Sequence, residues 1–259
     1  RLSNEMATVN DLSIKRDEAT ITFKAGKLYF LAPVGGRVTG AVFLGTGVFS
    51  LTPSMPLERK HLALLTRSDS IAETFTRMVL RFTDATYEEF KGRVEISAGP
   101  ASREAHDAWY DHRQFLRKNK AHRYNLDARI LLDLTWPDHG GLFQAFFTAD
   151  KSGDMLYGID PLGAHSVSPE EVVLVGMSDG NAGIWVAAHL AEHYRAGAVF
   201  NEDHRLIDPL HYQIEATVRS KTLAAKVRTK FKALVDGARV LGLLQAVGFA
   251  HLAHRSPGL

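Results

Sequence analysis

The residues whose types and spacing could do chemistry lie late in the chain, at His189-Leu190-Ala191-Glu192-His193. This is H-x-x-E-H, the spelling of the inverted zinc peptidases. On a helix, His189 and His193 share one face and both imidazoles can hold one Zn²⁺. Glu192 would then be the general base for a metal-bound water. Such a centre needs a third protein ligand downstream, and the acids available are Glu202, Asp203, Asp208, Glu215 and Asp236. The segment Gly183–Tyr194 suits a strand as well as a helix. On a strand the two histidines are about 13 Å apart at ~3.3 Å per residue and cannot share an ion. Zinc hydrolysis through His189, Glu192 and His193 is therefore an alternative, and a plain segment with two histidines and a glutamate is the expectation.

Other chemistry is absent or incomplete. H-E-x-x-H, G-x-S-x-G, the phosphate-binding G-x-x-x-x-G-K-[ST] and the dinucleotide G-x-G-x-x-G do not occur. Asp150, Ser152 and Asp154 superficially spell a calcium loop, but Gly153 comes one place early and Pro161 stands where the loop needs its glutamate. A hairpin turn is expected there. Arg113, Arg117, Lys118, Lys120 and Arg123 lie beside Trp109, Tyr110 and Phe115, a mixture that can bind nucleic acid. Glu104, Asp107, Asp111 and Asp127 flank it, so a solvated helix end is expected and no nucleic-acid partner. The last basic group, Lys221, Lys226, Arg228, Lys230 and Lys232, falls on alternating strand-like sequence and is the candidate anion-binding surface.

The elements that must position these residues are mostly strands. Ala19–Ala25, Lys27–Pro33, Gly36–Leu44 and Val48–Leu51 are β-rich runs separated by glycines, the pattern of an antiparallel meander. Gly26 and Gly45-Thr46-Gly47 are taken as turns in that pattern. Leu57–Arg67 is open between strand and short helix. Phe75–Thr83 alternates as a strand, and Asp84 is placed to cap a helix over Ala85–Lys91 that ends at Gly92. Ser102 opens the strongest helix, running to about Arg123, with Ala105, Trp109, His112 and Leu116 on one face. A short helix covers Ala128–Trp136. Strands return at Leu142–Ala149, Met155–Asp160 and Val172–Val175. A linker is expected near Arg195–Asn201, and beyond it Tyr212–Val218 and Ala225–Leu234 alternate as a strand pair.

Composition bounds the rest. The chain has 259 residues, of which 45% are hydrophobic and 23% charged, enough to bury a large core without disulfides or metals. It has no cysteine, which excludes a disulfide scaffold, cysteine-ligated zinc, an iron–sulfur cluster and a thiol nucleophile. No apolar run approaches the ~18–20 residues of a membrane-spanning helix, and the start has no signal-peptide pattern. The net charge of +2 is uneven: from Ala216 onward there are eight bases and one acid, and the remainder is acidic overall. Two structural units are expected on that ground.

Two stretches carry a resemblance. Val9–Glu89, with KRDEATITFKAGKLYFLAPVGGRVTGAVFLGTGVFSLTP and LRFTDATYEEF, resembles the non-catalytic N-terminal extension of bacterial proteins similar to aminopeptidase N, a gluzincin zinc metallopeptidase. DPLHYQIEATV at Asp208–Val218, followed by LAAKVRTKFKAL, resembles the opening strands of that family's N-terminal β-domain. The family's zinc helix H-E-x-x-H, its second glutamate and its amine-binding G-x-M-E-N are not in this sequence, so no catalytic or cofactor-binding residue is carried over. The resemblance implies an accessory, non-catalytic region whose partner is a downstream peptidase domain, a protein or a peptide. It places zinc only in that catalytic domain and suggests export to the bacterial periplasm; a downstream reading frame that continues into H-E-x-x-H would put the function outside this chain. The fold expected is α+β, mostly antiparallel sheet. Residues 1–200 form a first domain in which the helical segment at 102–123 bridges two sheet regions. Residues 201–259 open a β-sandwich-like domain that is truncated.

Overall fold

The computed structural model describes residues 1–118, 126–135, 141–162, 170–198, 207–219 and 223–234. Within these, the chain is an α+β protein dominated by antiparallel sheet. Nine strands form one sheet: β1 (Leu2–Arg16), β2 (Ala19–Leu31), β3 (Gly40–Leu51), β4 (Ile71–Phe82), β5 (Ile96–Ala98), β6 (Phe143–Ala149), β7 (Gly153–Ile159), β8 (Val172–Gly176) and β9 (Gly183–Ala188). Their order is β5-β1-β2-β3-β4-β6-β7-β8-β9, and every neighbouring pair is antiparallel. The two sheet regions expected from the sequence are therefore one sheet. β4 pairs directly with β6, from Phe82↔Phe143 to Phe75↔Ala149, and the intervening helix over 103–118 lies against its outer face.

The sheet is strongly coiled. β7 stands five places from β1 in the strand order, about 24 Å away in a flat sheet at ~4.8 Å per step. Yet the Tyr157 hydroxyl of β7 donates to the Arg16 carbonyl at the end of β1 at 2.7 Å. The Arg16 guanidinium also lies 4.9 Å from the centre of the Phe143 ring. The concave face holds the core, an aromatic array to which successive strands contribute one or two rings each. Phe23 of β2 meets Phe43 of β3 at 4.7 Å between centroids. Phe49 meets Phe147 at 4.9 Å and Tyr157 at 5.4 Å. Such pairs contribute about 0.5–1.5 kcal/mol each beyond their burial.

Coiling requires the strands to bend, and glycines are where they do so. Gly26 and Gly45, expected as turns, lie inside β2 and β3 directly opposite one another. A Cβ on Gly45 would sit 2.6 Å from Gly26 Cα and closer still to the Ala25 carbonyl oxygen. Register shifts flank the pair, between Phe23 and Ala25 and between Leu44 and Gly47, which is how a bulge increases local twist. The true turn between these strands is Gly35-Gly36, with φ of 58° and 79°. Gly45→Ala is expected to lower stability by about 1–3 kcal/mol, because the backbones must part. Gly92→Ala, where a Cβ meets nothing closer than 3.4 Å, serves as the control. Urea unfolding of both variants checks this, and a Gly45→Ala loss no larger than that of Gly92→Ala would contradict it.

The helices close the edges and cover the convex face. α1 (Pro56–Thr66) resolves the open segment as helix: proline leads it and Arg67 ends it in the left-handed conformation. Its Glu58 accepts the Ala187 N–H at 3.3 Å, covering part of the β9 edge. α2 (Thr86–Lys91) starts one residue later than expected, with Ala85 as its N-cap, and Asp84 accepts the Thr86 N–H at 3.0 Å. Asp84 and Glu89 bind Arg16 at 3.2 and 2.9 Å, fixing α2 to the end of β1. α3 (Arg103–Lys118) is capped by Ser102, whose hydroxyl accepts the Ala105 N–H at 3.2 Å. It lays Ala105, Ala108 and Trp109 on Tyr29, Leu31, Val42 and Val79 of the convex face. α4 (Leu126–Thr135) packs Leu126 and Ile130 around Leu142. No helix among the described residues is long and apolar enough to cross a membrane.

A separate two-stranded sheet follows, β10 (Ile207–Val218) and β11 (Leu223–Ala233). Its pairing from Tyr212↔Thr229 to Val218↔Leu223 is regular, with a shift between Pro209 and His211.

Candidate functional site

The register of β8 on β9 builds the histidine site. Val172 pairs with Ala188, so one step further Glu171 stands beside His189. The His189 ring donates from Nδ1 to Glu171 Oε2 at 2.6 Å. β9 ends at Ala188, Leu190 is the N-cap and α5 (Ala191–Arg195) follows. The segment left open between strand and helix is thus a strand, a corner and one short helix. His189 precedes the helix, and only Glu192 and His193 of the motif belong to it. The turn of α5 brings His193 Nδ1 to 3.4 Å from the other oxygen, Glu171 Oε1.

The surroundings hold this corner rigidly. Asp17, in the β1–β2 turn, accepts the Ala191 N–H at 3.0 Å and so caps α5 from across the coiled sheet. The Tyr194 hydroxyl accepts the His189 N–H at 3.3 Å. Burial pushes the Asp17 carboxyl upward, opposed by that backbone N–H. Burial likewise raises Glu58 and Tyr194. His189 and Glu171 are buried, whereas His193 is 40% exposed. Each imidazole addresses its own oxygen of one carboxylate. Among the described residues no group of three or more His, Asp or Glu side chains is arranged to hold a metal ion. The arrangement joins β8, β9 and α5 by charge-assisted hydrogen bonding.

Glu171 was not singled out in the sequence, where Ser168-Pro169-Glu170-Glu171 has the composition of a turn. The available signal was its position one residue before a strand whose partner ends one residue before His189. Recognising it requires the strand register.

The basic candidates lie on β11. Lys226, Arg228, Lys230 and Lys232 occupy alternate positions and therefore one face of the hairpin. Arg228 is 3.7 Å from Glu215 across the pair, and Lys221 lies outside the described residues. The opposite face is mostly apolar: Tyr212, Ile214 and Ala216 of β10 pair with Thr229, Val227 and Ala225 of β11, and Val218 continues the row. Ile214 is 62% exposed and Val218 78%. The ribbon thus has one cationic face and one uncovered hydrophobic face. The basic run of α3 is divided: Arg113 lies on the described helix, and Lys120 and Arg123 fall outside the described residues.

No family model, curated protein or solved structure matches this chain. The class that fold and site define is an α+β protein with a coiled nine-stranded antiparallel sheet and an amphipathic β-hairpin.

Proposed function

We propose that this chain is the accessory, non-catalytic N-terminal region of an aminopeptidase-like zinc metallopeptidase, docking through its β10–β11 hairpin. The observation that carries this reading is the uncovered apolar face of that hairpin. A two-stranded ribbon is marginal in water, and a third strand or a packed layer is what makes it stable. Twelve residues at ~3.3 Å and two strands at ~4.8 Å give a face of about 400 Å². Two copies stacked face to face would bury about 800 Å², short of the ~1,200 Å² of a stable interface. The same area suffices within one chain, which loses no translational and rotational freedom of association, so further strands of a β-domain in the downstream peptidase meet the need better than self-association, and zinc belongs to that domain. The resemblance of Val9–Glu89 and Asp208–Val218 supports the same assignment. The cationic face, with Lys226, Arg228, Lys230 and Lys232, is left free on the other side for an acidic partner surface.

Amide hydrogen exchange tests this, comparing the 259-residue chain with one extended into its own downstream reading frame. Exchange in β10 and β11 is expected to slow roughly tenfold or more in the extended chain, and unchanged exchange overturns the docking. The zinc-hydrolase alternative is tested on the same material. No turnover of aminoacyl anilides is expected from the 259-residue chain with added Zn²⁺, and turnover abolished by His189→Ala would replace the accessory reading.

A further inference from the structure

A cleft unrelated to the histidine corner opens at one end of the coiled sheet. It lies between the loop after α1, the start of β4, the β6–β7 turn and the β8–β9 turn. Its volume is about 450 Å³, within the ~300–1,000 Å³ of small-molecule sites. Thr66, Ser68 and Ser70 give it a polar side, and Leu65, Ile71 and Trp185 an apolar one. Trp185 commits its ring N–H to the Asn181 carbonyl at 3.0 Å, leaving ring carbons to the cleft.

Glu73 is the unusual member. In β4 it alternates with Ile71 and Phe75 on the concave, apolar face, and it is only 5% exposed. Its carboxylate accepts from the Ser152 hydroxyl at 2.6 Å and from the Lys151 backbone N–H at 3.3 Å. An ionised carboxylate offers about four lone-pair sites, so acceptor capacity remains. Lys151 contributes its backbone N–H, and no Lys, Arg or His among the described residues forms an ion pair with Glu73. Buried carboxylates ordinarily have a counter-charge. A divalent metal would need further ligating side chains, and none is grouped with Glu73 among the described residues. An ammonium group needs only the carboxylate and neighbouring hydroxyls for its three donors, and an attached alkyl chain fits against Leu65 and Trp185.

We propose that this cleft binds a primary alkylammonium group with the Glu73 carboxylate as its counter-ion. The full chain is titrated at neutral pH with n-butylammonium chloride, and with n-butanol as the neutral isostere, followed by calorimetry and amide chemical shifts. Saturable binding of butylammonium is expected, with shifts at Glu73, Ser152 and Trp185, and none with butanol. Glu73→Gln keeps the shape and an acceptor and is expected to weaken binding at least ~10-fold. Its melting temperature without ligand is expected to equal or exceed that of the parent, because an uncompensated buried charge is removed. Glu73→Asp, which keeps the charge but shortens its reach, gives the same direction of change should the glutamine variant fail to fold. Two further arms separate the sources of the group: a lysine-free peptide with a free N-terminus, and Nα-acetyl-lysine amide. Binding of either identifies a peptide terminus or a lysine side chain, and binding of butylammonium alone identifies a free amine. Absence of saturable binding by every ammonium probe, equal binding of butanol, or binding unaffected by Glu73→Gln overturns the proposal.

Discussion

Replacing Arg129 with methionine is expected to destabilise the protein by about 3–5 kcal/mol, the usual result of removing one partner from a buried ionic group. Arg129 projects from α4 into a site where it, Asp133 and Asp160 are all at most 5% exposed. Its Nε lies 3.0 Å from Asp160 Oδ1 and one terminal nitrogen 2.9 Å from the same oxygen. The other terminal nitrogen donates to Asp133, one turn along the helix. Burial alone would lower the Arg129 pKa, but the two carboxylates outweigh it and raise it. The carboxylates are themselves anchored. Asp133 accepts from the Thr83 hydroxyl and from the Leu142 N–H, and Asp160 accepts from the Leu162 N–H at 3.1 Å. The group therefore ties α4 to the end of β4, the start of β6 and the end of β7. Methionine fills much of the arginine volume, so the loss comes from two buried carboxylates left without their cation. Adding Asp133→Asn and Asp160→Asn to Arg129→Met is expected to restore much of the stability, since both asparagines keep an oxygen for the same N–H donors. Urea unfolding of the single and triple variants measures this. A single-variant loss below about 1 kcal/mol would show that water reaches the site and screens it.

Which parts of this molecule were legible in advance follows from the range of the contacts involved. The β10–β11 hairpin was readable because its pairing is local: Ile214 and Val227 are thirteen residues apart and alternate with polar neighbours. The cap of α3 was readable because Ser102 and Ala105 are three residues apart. Continuity of the sheet was not readable, because Phe82 and Phe143 become neighbours only after the helix over 103–118 has been folded onto the outer face. Glycine misled for a related reason. Gly26 and Gly45 have the composition of turns, and only their mutual pairing shows that two long strands bend together there. The H-x-x-E-H spelling was visible, but β8 holds Gly183–Ala188 as a strand. The motif is broken at the corner, and its histidines meet a carboxylate that the spelling does not contain. Glu73 is an intermediate case: its place between Ile71 and Phe75 sets a charge on an apolar face, but the cleft beside it is completed by two turns distant in sequence, at Lys151-Ser152 and at Asn181.

A second large effect is expected on acidification, through His112. Its side chain is buried beneath α3 between Trp109 and Phe146, with ring centroids 5.8 and 5.3 Å away. Neither ring nitrogen has a hydrogen-bond partner among the described residues. Burial, reinforced by the nearby Arg81 cation, pushes its pKa down to about 3. The unfolded chain binds this proton with a pKa of about 6.5. Below that value the unfolded state holds more protons, so the stability contributed by neutral His112 is fully present above pH ~6.5. It falls by about 1.4 kcal/mol per pH unit as the pH drops toward about 3, a total on the order of 4–5 kcal/mol. Buried carboxyls work in the opposite sense. Asp17, Glu58 and Asp84 are raised by burial, so each loses stability as the pH rises through its own titration. The His112 contribution must therefore be taken as a difference between variants. His112→Phe retains an aromatic ring against Trp109 and Phe146 and cannot be protonated. It also removes two unpartnered buried nitrogens, each of which costs about 1–3 kcal/mol, so at neutral pH it should be at least as stable as the parent. Between pH 6.5 and 3 its stability curve is expected to diverge upward from that of the parent at about 1.4 kcal/mol per unit. Parallel curves would mean that His112 reaches water or a donor before α3 leaves the sheet.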